Sequence, residues 1–305
     1  MRIVFMGTPA ISATCLRRIH EDGCNIVGVY TKPDTPKNRG MKMAMSEVKI
    51  YAQSVGLPVY QPTTFKDDAV VEELKALQPD LILVVAYGKI LPQRVLDIPP
   101  QGCINIHASV LPALRGSGPI QWAILNGLDE TGVTAMYMAA EMDAGDMIEI
   151  RKTPIDPMET TEELMARLAE IGAGLLSDTV KHVADGTVTR TAQDPSQVTF
   201  APMLTKEMAP IDWSRTSRQI VDHVRGLIPW PVATAELDGK RFKIYRVEYT
   251  DKTTDKAPGT LLELHKKGLD VACGDGKVVT ITQLQAEGGK RMAAPDYFRG
   301  HPIQL

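Results

Sequence analysis

Along the first 190 residues short aliphatic runs alternate with amphipathic stretches, while beyond residue 230 the apolar positions come in short alternating runs. The first rhythm is that of strands joined by covering helices, and the second that of a small barrel of short strands. Strands are predicted over Arg2–Met6, Asn25–Tyr30, Asp80–Ala86, Gly102–His107, Gly132–Met138 and Met147–Thr153. Between the first two, Pro9 stands at a helix start, and Ile11, Cys15, Leu16 and Ile19 share one face. A longer helix is predicted over Thr161–Ala184, capped by Thr160 or Thr161, with Leu164, Leu168, Ile171 and Leu175 as its stripe. The periodicity then fades, and Pro195, Pro202 and Pro210 punctuate a polar stretch of linker character. Thr216–Leu227 reads as a helix, followed by strands at Val232–Leu237, Phe242–Tyr249, Gly259–Leu264, Asp270–Cys273 and Val278–Leu284, with Asp-Gly turns among them. The expected organisation is an α/β domain with a mostly parallel, Rossmann-like sheet over residues 1–190, a linker over 191–209, and a small β-barrel (OB-like) domain over 210–305.

Composition narrows the class. Hydrophobic residues make up 44% of the 305 and charged residues 23%, which excludes a disordered or fibrous chain. The longest apolar run, Leu81–Tyr87, is far short of the roughly 20 residues that span a bilayer, so no membrane segment is expected. The apolar start ends at Gly7, too early for a secretory signal, and reads as a first strand. Cys15, Cys24, Cys103 and Cys273 match neither a zinc pattern nor a disulfide framework, so a cytoplasmic address and no metal are expected. The net charge of −3 conceals a division, because residues 206–305 hold 16 Lys+Arg against 13 Asp+Glu. The C-terminal third is thus +3 and the remainder −6. Lys32, Lys37, Arg39, Lys42 and Lys49, facing only Asp34 and Glu47, make a second basic excess, which is equally readable as solvated surface charge.

Three loops are candidates for chemistry. Gly7-Thr8-Pro9 has one of the three glycines of a dinucleotide fingerprint, so it reads as a tight strand-to-helix turn, and a nicotinamide or flavin enzyme is not expected. In Gly102–Pro119, Asn105 and His107 fall two apart on one strand and share a face at its C-terminal end, where open α/β sheets bind ligands. Taken alone, Asn105 could equally end a strand, and His107 could be a satisfied, half-buried histidine. Met142–Asp146 could be only a turn. If the fold brings Asp143 to His107, an amide, an imidazole and a carboxylate come together, the components for proton transfer and oxyanion stabilisation.

The string Asn-Ile-His-Ala-Ser-x-Leu-Pro from Asn105, with Arg115-Gly116, Pro119-Ile-Gln, Thr131-Gly-Val-Thr and Met142-Asp-x-Gly-Asp, resembles the folate-dependent formyltransferases. Phe5-Met-Gly-Thr-Pro and Gly226-Leu-x-Pro-Trp-Pro-x-Ala extend the resemblance over the whole chain, toward the branch that formylates the methionine of initiator tRNA. The resemblance implies transfer of a formyl group from 10-formyltetrahydrofolate to the α-amine of initiator methionyl-tRNA, with Asn105, His107 and Asp143 as the catalytic residues. It implies a donor loop at Ser109, Val110, Leu111 and Pro112, with Val110 where leucine is usual, and a pterin-receiving segment including Tyr87, Gly88, Leu91 and Pro92, partly through backbone groups. Ala113 and Leu114 depart from the basic and aromatic residues common before Arg115. An inserted basic loop over Pro33–Lys49 is implied to enter the acceptor stem, with Arg39 as its recognition arginine and Lys37 and Lys42 beside it. A monomer without an obligate protein partner is expected. The rival readings are a formyltransferase for another amine, a hydrolase of the same donor, and a non-catalytic RNA-binding protein.

Overall fold

In the computed structural model, which describes residues 1–37 and 42–305, with Pro36, Lys37 and Lys42 described by their backbone alone, the aliphatic runs of the first half become one sheet. Its strands are β1 (Arg2–Gly7), β2 (Asn25–Tyr30), β5 (Val59–Tyr60), β6 (Leu81–Val85), β7 (Cys103–His107), β8 (Glu130–Tyr137) and β9 (Met147–Pro154), in the order β5-β2-β1-β6-β7-β8-β9. The short β3 (Thr35–Lys37) and β4 (Lys42–Ala44) form a separate antiparallel hairpin. Pairings from β5 through to β7 are parallel, and β8 runs antiparallel to β7. All five residues of β6 are buried, as expected of a central parallel strand covered on both faces. The helices that follow these strands in the chain include α1 (Ala10–Glu21), α2 (Glu47–Ser54), α3 (Asp68–Ala76), α4 (Gln93–Leu96) and α6 (Thr161–Ala184), whereas α5 (Pro119–Leu125) packs beside Ile220, Val221 and Val224 in a second core. In α6, Glu162 and Glu163 occupy the first turn and Lys181 and His182 the last, matching the helix dipole at both ends.

Two compact units emerge. One comprises Met1–Gly116, Gly132–Thr153 and Met165–Phe200, and the other Ser117–Thr131, Pro154–Leu164 and Ala201–Leu305. The second contains α7 (Ser217–Gly226), opened by a capping box between Thr216 and Gln219. Its strands β10 (Ala233–Leu237), β11 (Lys240–Thr253), β12 (Leu261–His265), β13 (Gly268–Ala272), β14 (Lys277–Ala286) and β15 (Met292–Ala293) precede α8 (Ala294–Gly300). They form an antiparallel sheet ordered β10-β11-β14-β13-β12, with β15 beside β14. Alternating residues of β11 and β14, among them Phe242, Ile244, Val279 and Ile281, bury against Ile220, Val221 and Val224 of α7. No helix among the described residues is long and apolar enough to cross a membrane.

Candidate active site

In the first sheet the chain passes from β1 to β2 on one side and returns to β6 on the other, which opens a crevice at the C-terminal ends of β1 and β6, where such sheets bind ligands. The turn after β1 is tight for steric reasons, since a Cβ on Gly7 would stand 2.6 Å from Ser12 Cβ and 2.9 Å from the Val85 carbonyl. Thr8 Oγ1 donates to the Tyr87 carbonyl at 3.1 Å, tying this turn to the segment after β6.

β7 carries Asn105 and His107 to its C-terminal end. The strand's alternation buries Ile104 and Ile106 on one face and puts Asn105 and His107 on the other. Asn105 is half-buried, level with Val84 of β6 and Met136 of β8, and among the described residues no hydrogen bond occupies its side-chain amide. His107 is 6% exposed. Its Nε2 lies 2.9 Å from the Leu114 carbonyl, which can only accept, so Nε2 carries a proton. Nδ1 then faces Asp143, 3.7 Å from Oδ2. That separation exceeds hydrogen-bond length, so the carboxylate attracts a charge on the ring without occupying Nδ1.

Asp143 is itself held. Its Oδ2 accepts the Gly116 N–H at 2.8 Å, and its backbone has φ 53°, a left-handed conformation that aspartate tolerates better than most residues. Two residues on, a Cβ on Gly145 would lie 1.9 Å from the Tyr137 carbonyl, so only glycine fits the turn. The fold therefore brings together the three residues singled out by strand spacing and loop composition.

The residues that brace this arrangement lie in the stretch expected to be linker. Gln193 Nε2 donates to the carbonyls of Asp143 and Gly145, each at 2.8 Å. Its Oε1 accepts from Arg115 Nε and Nη2 at 3.0 and 2.8 Å. Arg115 also pairs with Glu141 at 3.2 Å. Thr199 Oγ1 accepts the Leu114 N–H and the Thr199 carbonyl accepts the Arg115 N–H, both at 2.9 Å. A polar residue in a stretch without periodicity gives no sequence signal for such long-range pairing, which is why the stretch read as linker.

The expected donor-binding side chains are placed differently from a simple lining. After β6 the chain turns, with φ 43° at Ala86 and 72° at Gly88, which leaves those two residues exposed while the Tyr87 ring, 1% exposed, packs against Phe65 in the core. Tyr87 thus presents backbone rather than ring. Leu91 is buried, Pro92 half-buried, and Ile90 between Lys89 and Leu91 is 80% exposed. In the loop after β7, Ser109 is fully buried, its Oγ donating to the Ala113 carbonyl at 2.6 Å and its carbonyl accepting from Thr134 Oγ1 at 2.7 Å. Leu111 and Pro112 are buried as well, and Val110 is half-buried. Ser109, Leu111 and Pro112 therefore shape the loop from within, and Val110 is the member that keeps surface.

Of the expected RNA contacts, Arg39 lies outside the described residues. Lys37 and Lys42 are opposite each other at the end of the β3–β4 hairpin. Among the described residues no group of three or more His, Cys, Asp or Glu side chains is arranged to hold a metal ion.

Comparison with known proteins decides the family. A family profile described as Formyl transferase matches residues 1–180, and one described as Formyl transferase, C-terminal domain, matches residues 203–302. The chain is 45% identical over 304 residues to the methionyl-tRNA formyltransferase of Citrifermentans bemidjiense, covering 100% of this chain and 95% of that one. The chain belongs to the methionyl-tRNA formyltransferase family. Identity to the relative from Bacillus velezensis is 44% over 303 residues, 99% of this chain and 96% of that one. Among solved structures, the N-formyltransferase from Helicobacter canadensis, in complex with folinic acid and dTDP-3-aminofucose, shares the fold with a TM-score of 0.71 at 18% identity, over 92% of this chain and 98% of that one. Aquifex aeolicus HypX with tetrahydrofolic acid matches with a TM-score of 0.63 at 19% identity, over 98% of this chain and 47% of that one.

Proposed function

We propose that the chain transfers the formyl group of 10-formyltetrahydrofolate to the α-amine of methionine esterified to initiator tRNA, giving N-formylmethionyl-tRNA for translation initiation. The observation that carries this reading is the convergence at one strand end of the Asn105 amide, without a partner among the described residues, the His107 ring with Nε2 fixed, and a carboxylate 3.7 Å from Nδ1. The acceptor follows from the end-to-end match to methionyl-tRNA formyltransferases. The donor class agrees with the folinic acid and tetrahydrofolic acid bound in the Helicobacter and Aquifex structures.

In this mechanism the neutral amine attacks the formyl carbon, its C=O becomes an oxyanion, and collapse of the tetrahedral species breaks the bond to the folate nitrogen. The Asn105 N–H and a proton on His107 Nδ1 stabilise the oxyanion. Because Nε2 is committed to the Leu114 carbonyl, only Nδ1 can serve, and donation from it requires the imidazolium. Asp143 compensates that charge and receives the proton lost by the amine, directly or through water, and that proton passes to the departing folate nitrogen, so that tetrahydrofolate leaves neutral at that atom and the carboxylate is restored. The exposed backbone of Ala86 and Gly88 supplies groups for a pterin edge. Residues 210–305, with Lys37, Arg39 and Lys42, bind the tRNA, and the chain works as a cytoplasmic monomer without a metal.

The test is mass-spectrometric detection of N-formylmethionine on initiator tRNA after incubation with the protein and formyl donor, with free amines and nucleotide-linked amino sugars as alternative acceptors. Formylation of the charged tRNA is expected. Its absence at saturating donor, or faster formylation of a small amine, overturns the reading.

A further inference from the structure

The β3–β4 hairpin is rooted in a closed polar network. Asp34 immediately precedes β3, Ser46 and Lys49 follow β4, and Gln61 follows β5. Lys49 Nζ donates to Asp34 Oδ2 at 2.6 Å and to Gln61 Oε1 at 2.8 Å. The Gln61 Nε2 donates to Asp34 Oδ1 and to the Lys32 carbonyl, each at 2.8 Å. Ser46 Oγ accepts the Lys49 N–H at 3.0 Å, capping α2, and shares a hydrogen with Thr31 Oγ1 at 2.7 Å. Both roots of the hairpin are thus tied to each other and to the end of a sheet strand.

The three side chains are matched in bonding capacity. Gln61 uses its oxygen and both amide hydrogens, Asp34 uses both oxygens, and the Lys49 and Asp34 side chains are only 14% and 22% exposed. Hydrogen bonds from Lys49 and Gln61 hold the Asp34 carboxyl below the usual carboxylate range. This pairing changes the meaning of Lys49, which counts toward the basic excess by sequence but is spent internally. A surface ion pair alone is worth little, whereas an amide that bonds both ion-pair partners and a backbone carbonyl fixes a geometry.

We infer that Gln61, with Lys49 and Asp34, is a positioning element for tRNA: it fixes the angle at which the β3–β4 hairpin leaves the sheet, and so how that basic stretch of chain is presented to phosphates. The inference rests on the proposed RNA role of that hairpin. Gln61 is the informative position, because replacing it by leucine changes no charge. Any loss of RNA binding then reports geometry rather than long-range electrostatics.

In Gln61→Leu, KM for methionyl-tRNA is expected to rise roughly tenfold, as a misplaced contact costs. KM for the donor and kcat at saturating tRNA stay within twofold, which also certifies the fold. The slope of log affinity against log salt becomes shallower as phosphate contacts are lost, a change that reduced stability alone does not produce. Hydrogen exchange at the paired amides of β3 and β4 quickens. The conservative Lys49→Arg keeps the cation and retains tRNA affinity better than Lys49→Met. Unchanged exchange in Gln61→Leu shows that the network does not hold the hairpin and overturns the inference. Faster exchange with unchanged KM and salt slope for tRNA also overturns it, since the hairpin's placement would then be irrelevant to RNA. Failure of the underlying reading is separately visible as wild-type protein that does not formylate the tRNA.

Discussion

Committing Nε2 of His107 to the Leu114 carbonyl leaves one nitrogen for chemistry, and the open amide of Asn105 is the second donor on the same strand face. Losing one oxyanion donor costs on the order of 100- to 1,000-fold in rate. Asn105→Ala is therefore expected to lower kcat by about that factor while KM for the formyl donor changes little, as read by steady-state kinetics with charged tRNA. Near wild-type turnover would remove Asn105 from the mechanism. At this scale the sequence was informative wherever a local rule applied. The two-residue repeat put Asn105 and His107 on one face, and the Gly-Asp content of residues 142–146 marked a constrained turn. The meeting of Asp143 with His107 depends on a 36-residue excursion through α5 and β8, which no local pattern encodes. The inward turn of the Tyr87 ring had no such local rule behind it, because the chain leaves the extended conformation after β6, with φ 43° at Ala86 and 72° at Gly88.

At the level of elements, the active loop is a β7-to-α5 connection whose shape is set by a distant strip of chain. Gln193 clamps two carbonyls of the Asp143 turn and the Arg115 guanidinium at once. Gln193→Leu would leave a guanidinium 7% exposed and two carbonyls short of partners, a loss of about 1–3 kcal/mol. Since Asp143 moves with the turn, turnover is expected to fall about ten- to a hundredfold. Kinetics beside a denaturation curve separate the two effects, and a variant that loses stability but keeps its turnover shows that the clamp does not position the carboxylate. Strands and long helices were legible from periodicity. The shorter pieces, such as β5, the β3–β4 hairpin and α4, have too few residues to express a period and are specified by tertiary pairing instead.

Over the whole molecule, charge and aromatic residues are distributed unevenly between the units. All three tryptophans, Trp122, Trp213 and Trp230, belong to the second unit, so intrinsic tryptophan fluorescence reports its unfolding. Within that unit Asp270, 1% exposed, accepts from Lys252, His265 and Thr280 at 2.7, 2.9 and 2.6 Å. Burial pushes its carboxyl up, but the hydrogen bonds from Lys252, Thr280 and His265 outweigh that and hold it below the usual carboxylate range. A lowered folded-state value stabilises the unit above the unfolded-state value near ~3.9, and that contribution is lost as pH falls through the folded value. Asp270→Asn is expected to destabilise the fluorescence transition by about 2 kcal/mol at pH 7. The difference should shrink below about pH 4, where the wild-type carboxyl also takes up its proton. A gap between variant and wild type that is constant from pH 7 to pH 3 would refute the assignment.

The clamp at Gln193 and Thr199 bears on how this chain can be cut and recombined. The catalytic family profile ends at residue 180, yet the clasp that shapes the Asp143 turn comes from residues beyond it. A shortened chain should therefore keep everything through Phe200, because Gln193 and Thr199 are part of the active-site mould. No single cut can separate the chemistry cleanly, since Ser117–Thr131 and Pro154–Leu164 are threaded through the first unit's sequence but belong to the second.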